Sequence, residues 1–438
     1  MKNLKNQTYI TLLNKIKAND EKIGIIGLGY VGLNLLSLFS KKNLNVFGFD
    51  RNLIRINLLK KRKSYLSDLS NNDLNKIKSK NIFHTSKFKE ISAMDIIIIT
   101  VPTPLNKDKS PNIKEVEDVI NKIKKFLKFG QLVVIESTVY PGATKQIVLK
   151  KVNNNNLNAG ENFFLSYSPE RISPGDLLPR NITIKDVPKV VSGYSKNCIK
   201  LTKNIYEKIF KRIVLSDSLE EAEMSKLLEN TFRAVNIGLV NEIKIICDKV
   251  GINVHKVINL AKTKPYGFTK FDPGPGIGGH CIPIDPFFLS WYAEKNNVSS
   301  NFIKHSGIIN KKVKDWILKK ILDIEKRPKK KLNIFFLGVT YKKNVNDIRE
   351  SPAIYLMDKC LKNKINVKFN DPFVQTIEVN KKKINSTSLN SNLNSIDVAI
   401  LTADHDQYNY EKIYNKFRII IDTRGRYQNL KNSKIIHA

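Results

Sequence analysis

Chemistry is most concentrated in the run Phe271-Asp272-Pro273-Gly274-Pro275-Gly276-Ile277-Gly278-Gly279-His280-Cys281-Ile282-Pro283-Ile284-Asp285-Pro286. Glycines let a backbone approach a ligand and offer amides free of side-chain obstruction. A cysteine just beyond such a loop is a candidate thiolate nucleophile. The carboxylate that follows, Asp285, is spaced to act on a water or on the thiol. A helical turn after the loop would put Cys281 and Asp285 on one face, although Pro283 and Pro286 leave room only for a short or irregular one. The same residues also suit a tight structural loop around a buried, inert cysteine. This stretch alone does not choose between the two.

A second set lies upstream. Residues 217–250 read as one long helix, acidic at its start and capped by Asp217 or Ser218. Lys226, Asn230 and Arg233 fall at i, i+4 and i+7, hence on one face. That face is either a solvated polar stripe or one turned towards a ligand.

The elements that must position these groups are α/β units. Lys22–Ile26 is an apolar strand, followed at once by Gly27-Leu28-Gly29-Tyr30-Val31-Gly32, a helical run, and a second strand, Asn45–Phe49, that ends in Asp50. This is the dinucleotide fingerprint in its required context: a tight turn, room for the pyrophosphate, close helix–strand packing and a helix N-terminus towards the phosphates. Asp50 would accept hydrogen bonds from ribose hydroxyls and repel a 2′-phosphate, favouring NAD over NADP; Arg51 beside it weakens that preference.

Further strands end in small, hydroxyl or acidic residues. Asp95–Val101 runs into Pro102-Thr103-Pro104, Leu132–Glu136 into Ser137-Thr138, and Phe163–Tyr167 into Ser168-Pro169-Glu170-Arg171. Open α/β sheets place ligand contacts at such ends, and turn chemistry alone selects the same residue types. Pro286–Lys326 is expected to be helical, Asn153–Asn156 a surface loop and Arg327–Lys331 a linker. From Leu332 a second doubly wound unit opens, with Lys342, Arg349 and Arg424 near its strand ends and no glycine fingerprint, so it should hold something other than the dinucleotide.

Composition narrows the class. A chain of 438 residues is too long for one ordinary core. No run approaches a membrane span, and residues 1–20 lack the apolar core of a signal peptide. Cys198, Cys247, Cys281 and Cys360 are widely spaced, suggesting neither a disulfide framework nor a metal site. The net charge of +35 is dispersed as lysine through every segment, without a nucleic-acid module. It suits attraction of an anionic substrate better than specific nucleic-acid binding. A cytoplasmic protein is expected.

Taken together, Gly27–Gly32, Val101–Pro104, Glu136–Val139, Ser168–Glu170, Glu221–Asn230, Gly274–Asp285 and Tyr341–Pro352 resemble the motifs of the UDP-glucose/GDP-mannose dehydrogenase family over nearly the full length. The resemblance implies two Rossmann-like doubly wound domains joined by a central helical domain with a long helix. The expected bounds are an extension at 1–20, an NAD domain at 21–214, a central domain at 215–326 and a UDP-sugar domain at 327–438. It also implies oxidation of a sugar C6 alcohol to a carboxylate with two NAD consumed. Cys281 would form the covalent intermediate, Lys226 and Asn230 would steady oxygen at C6, and Asp285 would assist proton transfer, with Thr138 and Glu170 in support.

For NAD the carry-over names the fingerprint Gly27, Gly29, Tyr30, Val31 and Gly32, with Asp50, Arg55, Thr103, Thr138 and Arg349. For the sugar nucleotide it names Glu170, Lys226, Asn230, Arg233, Lys270, Phe271, Gly274, Gly278, Lys342 and Arg424. Two departures bear on the substrate: Ile284 stands where UDP-glucose enzymes carry a lysine, and Ser-Pro-Glu continues as Arg171-Ile172-Ser173-Pro174-Gly175, lacking their second glutamate. The stretches 278–287 and 230–236 are instead similar to the subgroup acting on UDP-N-acetylhexosamines, nearest to the N-acetylglucosamine 6-dehydrogenases of bacterial polysaccharide synthesis. Arg233 or His280 is a candidate reader of the 2-acetamido group, and a hydrogen-bonding role within the loop serves His280 equally well. UDP-glucose, UDP-N-acetylgalactosamine and UDP-N-acetylmannosamine are the other sugars, and a homodimer through the central domain is expected. A protein that merely binds NAD and a sugar nucleotide would have no need of the thiol.

Overall fold

The computed structural model describes residues 2–66, 69–152, 156–171, 183–325, 332–430 and 432–438. The expected linker Arg327–Lys331, most of the loop at Asn153–Asn156 and the run after Arg171 lie outside the described residues. The chain forms two compact units, Met1–Glu229 with Phe287–Asn297, and Asn230–Pro286 with Val298–Ala438.

The first unit is built on β1 (Lys22–Ile26), β2 (Asn45–Asp50), β3 (Ile82–His84), β4 (Ile96–Ile99), β5 (Leu132–Ile135), β6 (Phe164–Tyr167), β7 (Lys189–Gly193) and β8 (Ile213–Leu215). They lie in the order β3-β2-β1-β4-β5-β6-β7-β8, parallel except where β6 meets β7. Strands such as Ile96–Ile99 and Leu132–Ile135 are buried along their whole length, as expected of a sheet covered on both faces. The order reverses between β1 and β4, and the strand ends at that switch point carry the candidate residues. Helix Lys114–Ile123 shows how one cover is made: Val116, Val119, Ile120 and Ile123 bury a single stripe against the sheet.

One element was not legible. Residues 1–20 read as a plain extension, yet Lys2–Ala18 is a helix. It buries Leu12 and Ile16, pairs Lys15 with Asp95 at 2.8 Å and bonds the Thr8 hydroxyl to the Glu161 carbonyl. Its buried stripe is short and set among lysines and asparagines, so no amphipathic period stood out.

The second unit contains β9 (Asn333–Leu337), β10 (Asn366–Asn370), β11 (Thr376–Val379), β12 (Lys382–Asn385), β13 (Val398–Leu401), β14 (Ile419–Asp422) and β15 (Ile435–His437). Its main sheet runs β10-β9-β13-β14-β15, parallel throughout, with β11 and β12 as a separate antiparallel hairpin. This is a second doubly wound sheet.

The long helix is Leu219–Lys249, 31 residues. Ser218 rather than Asp217 caps it: its hydroxyl accepts from the Glu221 amide at 3.1 Å, and the Glu221 carboxylate accepts in return from the Ser218 amide at 3.3 Å. The helix expected across Pro286–Lys326 is two helices, Asp285–Lys295 and Asn301–Glu325. The break falls at Asn297, which adopts a left-handed φ of 58° and so ends the first of them.

Candidate active site

In the first unit the glycine loop is shaped for a dinucleotide. A Cβ on Gly32 would lie 2.0 Å from the Gly27 carbonyl oxygen, so the helix packs there only with glycine. A Cβ on Gly29 would meet no protein atom within 4 Å, so the backbone there is open to close approach by a ligand. Helix Tyr30–Lys41 starts at Gly29 with no side-chain cap, which leaves its first amides for phosphate oxygens. Asp50 is 4% exposed. One of its oxygens accepts from the Leu28 amide at 2.8 Å, the other from the Asn52 amide at 2.7 Å. These bonds fix the carboxylate and leave lone pairs for ribose hydroxyls. Arg55 approaches Asp50 to 3.5 Å, whereas Arg51 turns to Glu115, 2.6 Å away. These residues fit a dinucleotide with a free 2′-hydroxyl.

Thr103 is buried and Thr138 half-buried at the ends of β4 and β5, whose exits are tied by the Ser137 hydroxyl on the Val101 carbonyl at 2.7 Å. Glu170 lines a small recess with Tyr30, Val31 and Asn34. Its main-chain carbonyl accepts from Lys226 Nζ. Lys226 is therefore no part of a solvated stripe; it is 8% exposed.

Sequence reading missed what stands behind Glu170. Lys189, 2% exposed, donates to Glu136 Oε2 at 2.8 Å, Glu170 Oε2 at 3.2 Å and the Pro169 carbonyl at 3.3 Å. The other Glu136 oxygen accepts from the Tyr206 hydroxyl. Burial pushes the Glu136 carboxyl up, while the two carboxylates keep Lys189 protonated despite its burial. A lysine inside a strand as apolar as Lys189-Val190-Val191 was the available signal. Glu223 is one of the acids at the start of the long helix, where the helix dipole alone would account for it. It instead accepts from the Gly142 and Thr144 amides, at the start of helix Ala143–Val152.

In the second unit the Asp285 amide donates to the Cys281 carbonyl at 2.8 Å, so one turn does separate thiol and carboxylate. Asp285 is 2% exposed and one of its oxygens accepts from the Asn230 amide group. Cys281 is half-buried, whereas Cys198, Cys247 and Cys360 are buried. The loop before it is held closely: a Cβ on Gly278 would lie 2.5 Å from Tyr341 Cβ, and the Gly279 amide bonds the Arg349 carbonyl at 2.8 Å. Arg349 itself grips Asp347 at 2.6 Å, which holds its guanidinium protonated, with Cys281 among the groups acting on it. Burial pushes the His280 imidazole below its ordinary value. Arg233 is half-buried on the long helix.

The remaining candidates surround the same loop. Lys270 pairs with Asp272 at 2.9 Å, and Phe271 packs edge-on to Phe232. The Gly274 amide donates to Asn241 Oδ1 at 2.9 Å, and its carbonyl accepts from Lys244, which also reaches the Thr423 carbonyl. Lys244 is a further residue the sequence did not single out; burial pushes its ammonium down to about 7. Arg424 donates to the carbonyls of Thr402 at 2.8 Å and Tyr341 at 3.3 Å, beside Lys342. Among the described residues no cluster of His, Cys, Asp and Glu could hold a metal ion, and no helix is long and apolar enough to cross a membrane.

A fingerprint fitted to a dinucleotide, a second doubly wound sheet and a thiol beside a held carboxylate define a cofactor-dependent oxidoreductase. Models of the UDP-glucose/GDP-mannose dehydrogenase family match the chain in three consecutive parts: the NAD binding domain over residues 21–210, the central domain over 220–312 and the UDP binding domain over 335–429. The chain belongs to that family, and its cofactor is NAD. It is 33% identical over 422 residues to the protein CapL of Staphylococcus aureus, covering 93% of this chain and 96% of the relative. It is 33% identical to a UDP-N-acetyl-D-mannosamine dehydrogenase of Methanocaldococcus jannaschii, covering 94% and 95%. It is 34% identical to a UDP-N-acetyl-D-glucosamine 6-dehydrogenase of Pseudomonas aeruginosa, covering 81% and 83%. The solved UDP-D-ManNAc dehydrogenase of Pyrococcus horikoshii superposes with a TM-score of 0.80 at 29% identity, covering 92% of this chain and 95% of that one.

Proposed function

We propose that the protein oxidises UDP-N-acetylglucosamine at C6, from primary alcohol to carboxylate, through a covalent bond to Cys281. NAD, held by the fingerprint with Asp50, Arg55, Thr103, Thr138 and Arg349, supplies the hydride acceptor for both oxidations. Lys226 and Asn230 steady negative charge on the C6 oxygen. The Cys281 sulfur adds to the aldehyde carbon and its proton passes to the oxygen, giving a thiohemiacetal. Loss of hydride and a proton from that adduct leaves a thioester. Asp285, with Glu170 in support, takes a proton from the water that attacks it; the C–S bond breaks and the thiol is restored. One alcohol, two NAD and one water thus become one carboxylate, two NADH and three protons.

The observation that carries this reading is Asp285: buried, one turn from the thiol and held by Asn230. A carboxylate placed so suits water activation next to a thioester. The sugar nucleotide is assigned to Glu170, Lys226, Asn230, Arg233, the 270–274 backbone, Gly278, Lys342 and Arg424, with the domain bounds expected above. The homodimer reading is supported by Phe232, Leu239 and Ile246, each more than half exposed at seven-residue spacing on one helix. We place the protein in the cytoplasm, where thiols stay reduced.

UDP-N-acetylmannosamine is the second reading, favoured by the archaeal relatives. Initial rates of NADH formation on UDP-N-acetylglucosamine, UDP-N-acetylmannosamine and UDP-glucose test the choice. The account expects kcat/KM highest on the first; a preference for the C2 epimer would keep the chemistry and change the substrate.

A further inference from the structure

Lys189 and Lys226 grip consecutive peptide groups from different elements. Lys189, on β7, takes the Pro169 carbonyl, and Lys226, on the long helix, takes the Glu170 carbonyl. Lys189 also holds the Glu170 carboxylate, at 3.2 Å. Neighbouring bonds run the same way: the Ser168 hydroxyl donates to the Val190 carbonyl at 2.6 Å, and Arg171 to the Pro188 carbonyl at 2.9 Å. The end of β6 is therefore clamped to β7 residue by residue, with Lys189 at the centre.

An ammonium this deep is costly to bury unless it is paired and hydrogen-bonded. Glu136 supplies the counter-charge, itself fixed by Tyr206, and the rings of Tyr206 and Phe210 stand 5.2 and 5.5 Å from the nitrogen. Apolar residues generally fill such a volume at no loss of stability, so the arrangement calls for another reason. Its bonds to Pro169 and Glu170 provide one.

We infer that Lys189 is a positioning residue of the dehydrogenase: it fixes the Pro169–Glu170 strand end, and with it both the Glu170 carboxylate and the carbonyl on which Lys226 docks. The inference rests on the roles proposed above for Glu170 and Lys226. Glu136 serves it by keeping Lys189 charged.

The test compares Lys189→Met, Lys189→Arg and the double variant Lys189→Met/Glu136→Gln with the wild type in thermal midpoint, kcat and both KM values. Lys189→Met leaves the buried carboxylates of Glu136 and Glu170 without their cation, and should lose both midpoint and turnover. The double variant removes the Lys189–Glu136 charge pair and leaves only Glu170 without its cation; its midpoint should rise above that of Lys189→Met while kcat stays at least tenfold below wild type and the KM for NAD moves less than about twofold. Lys189→Arg, which keeps the charge, should exceed Lys189→Met in kcat at equal folded fraction. Recovery of kcat together with midpoint in the double variant would overturn the inference, because Lys189 would then be purely structural. So would an arginine variant no faster than the methionine one, which decides the matter if the double variant does not fold. Glu170→Gln and Lys226→Ala run alongside; wild-type turnover in both would reject the roles given to those residues instead.

Discussion

Asn230 donates its side-chain amide to the carboxylate of Asp285, a residue 55 positions later in the chain. The long helix thus carries the partner of the group that follows Cys281. Asn230→Ala removes the donor and leaves a buried carboxylate short of one bond. A hydrogen bond to a charged group is worth about 1.5–3 kcal/mol, so a loss of roughly ten- to a hundredfold in kcat is expected. Steady-state rates on the C6 aldehyde measure it, and an unchanged kcat would remove Asn230 from the mechanism.

The fingerprint glycines separate packing from binding. Gly29→Ala adds a methyl group where no protein atom lies within 4 Å. The thermal midpoint of the free protein should hold while NAD affinity falls by about tenfold or more. Gly32→Ala drives a methyl group into the Gly27 carbonyl and should lower both. Equal NAD titrations for Gly29→Ala and wild type would contradict the assignment.

Cofactor choice is open to a subtler change. Arg51 follows Asp50 directly and would favour a 2′-phosphate, but it is paired with Glu115. Glu115→Gln frees the guanidinium. The pair is exposed and worth at most about 1 kcal/mol, so the NADP-to-NAD ratio of kcat/KM should rise by no more than about fivefold. A fall in that ratio would be the contrary result.

Burial pushes the Glu223 carboxyl up to about 7, against the two amides it accepts from. The folded value lies above the unfolded one, so the native state keeps a proton that the unfolded chain releases. The associated stability is complete below about pH 4.5 and is lost as pH rises through about 7. Glu223→Gln has no proton to lose. Unfolding free energies between pH 5 and 8, followed by thermal melts, should fall less steeply in the variant, by on the order of 2–3 kcal/mol over that range. Parallel slopes would show that Glu223 does not titrate in this range.

The parts legible in the sequence were those with a local signature. The glycine fingerprint, the strand ends, the long helix and the spacing of Cys281 and Asp285 each follow from residue types within a few positions. What could not be read depends on partners far apart in the chain. Lys189 meets Glu136 across 53 positions, and Lys244 reaches Thr423 across 179; the apolar strand around Lys189 marks it as buried without naming its partner, and Lys244 does not differ locally from the lysines that crowd the surface. Glu223 misled for the same reason, because an acid in the first turns of a helix already has a sufficient local explanation. The break at Asn297 and the first helix were missed where asparagine and lysine blur the apolar period.

One active site is proposed to carry both oxidations through Cys281. The most direct test is the count of NADH per UDP-N-acetylglucosamine consumed, with the sugar product followed in the same reaction. The account predicts two NADH per sugar and the uronic acid as product, with formation of that acid abolished in Cys281→Ala. One NADH per sugar with the C6 aldehyde accumulating, or full acid formation by Cys281→Ala, would contradict it.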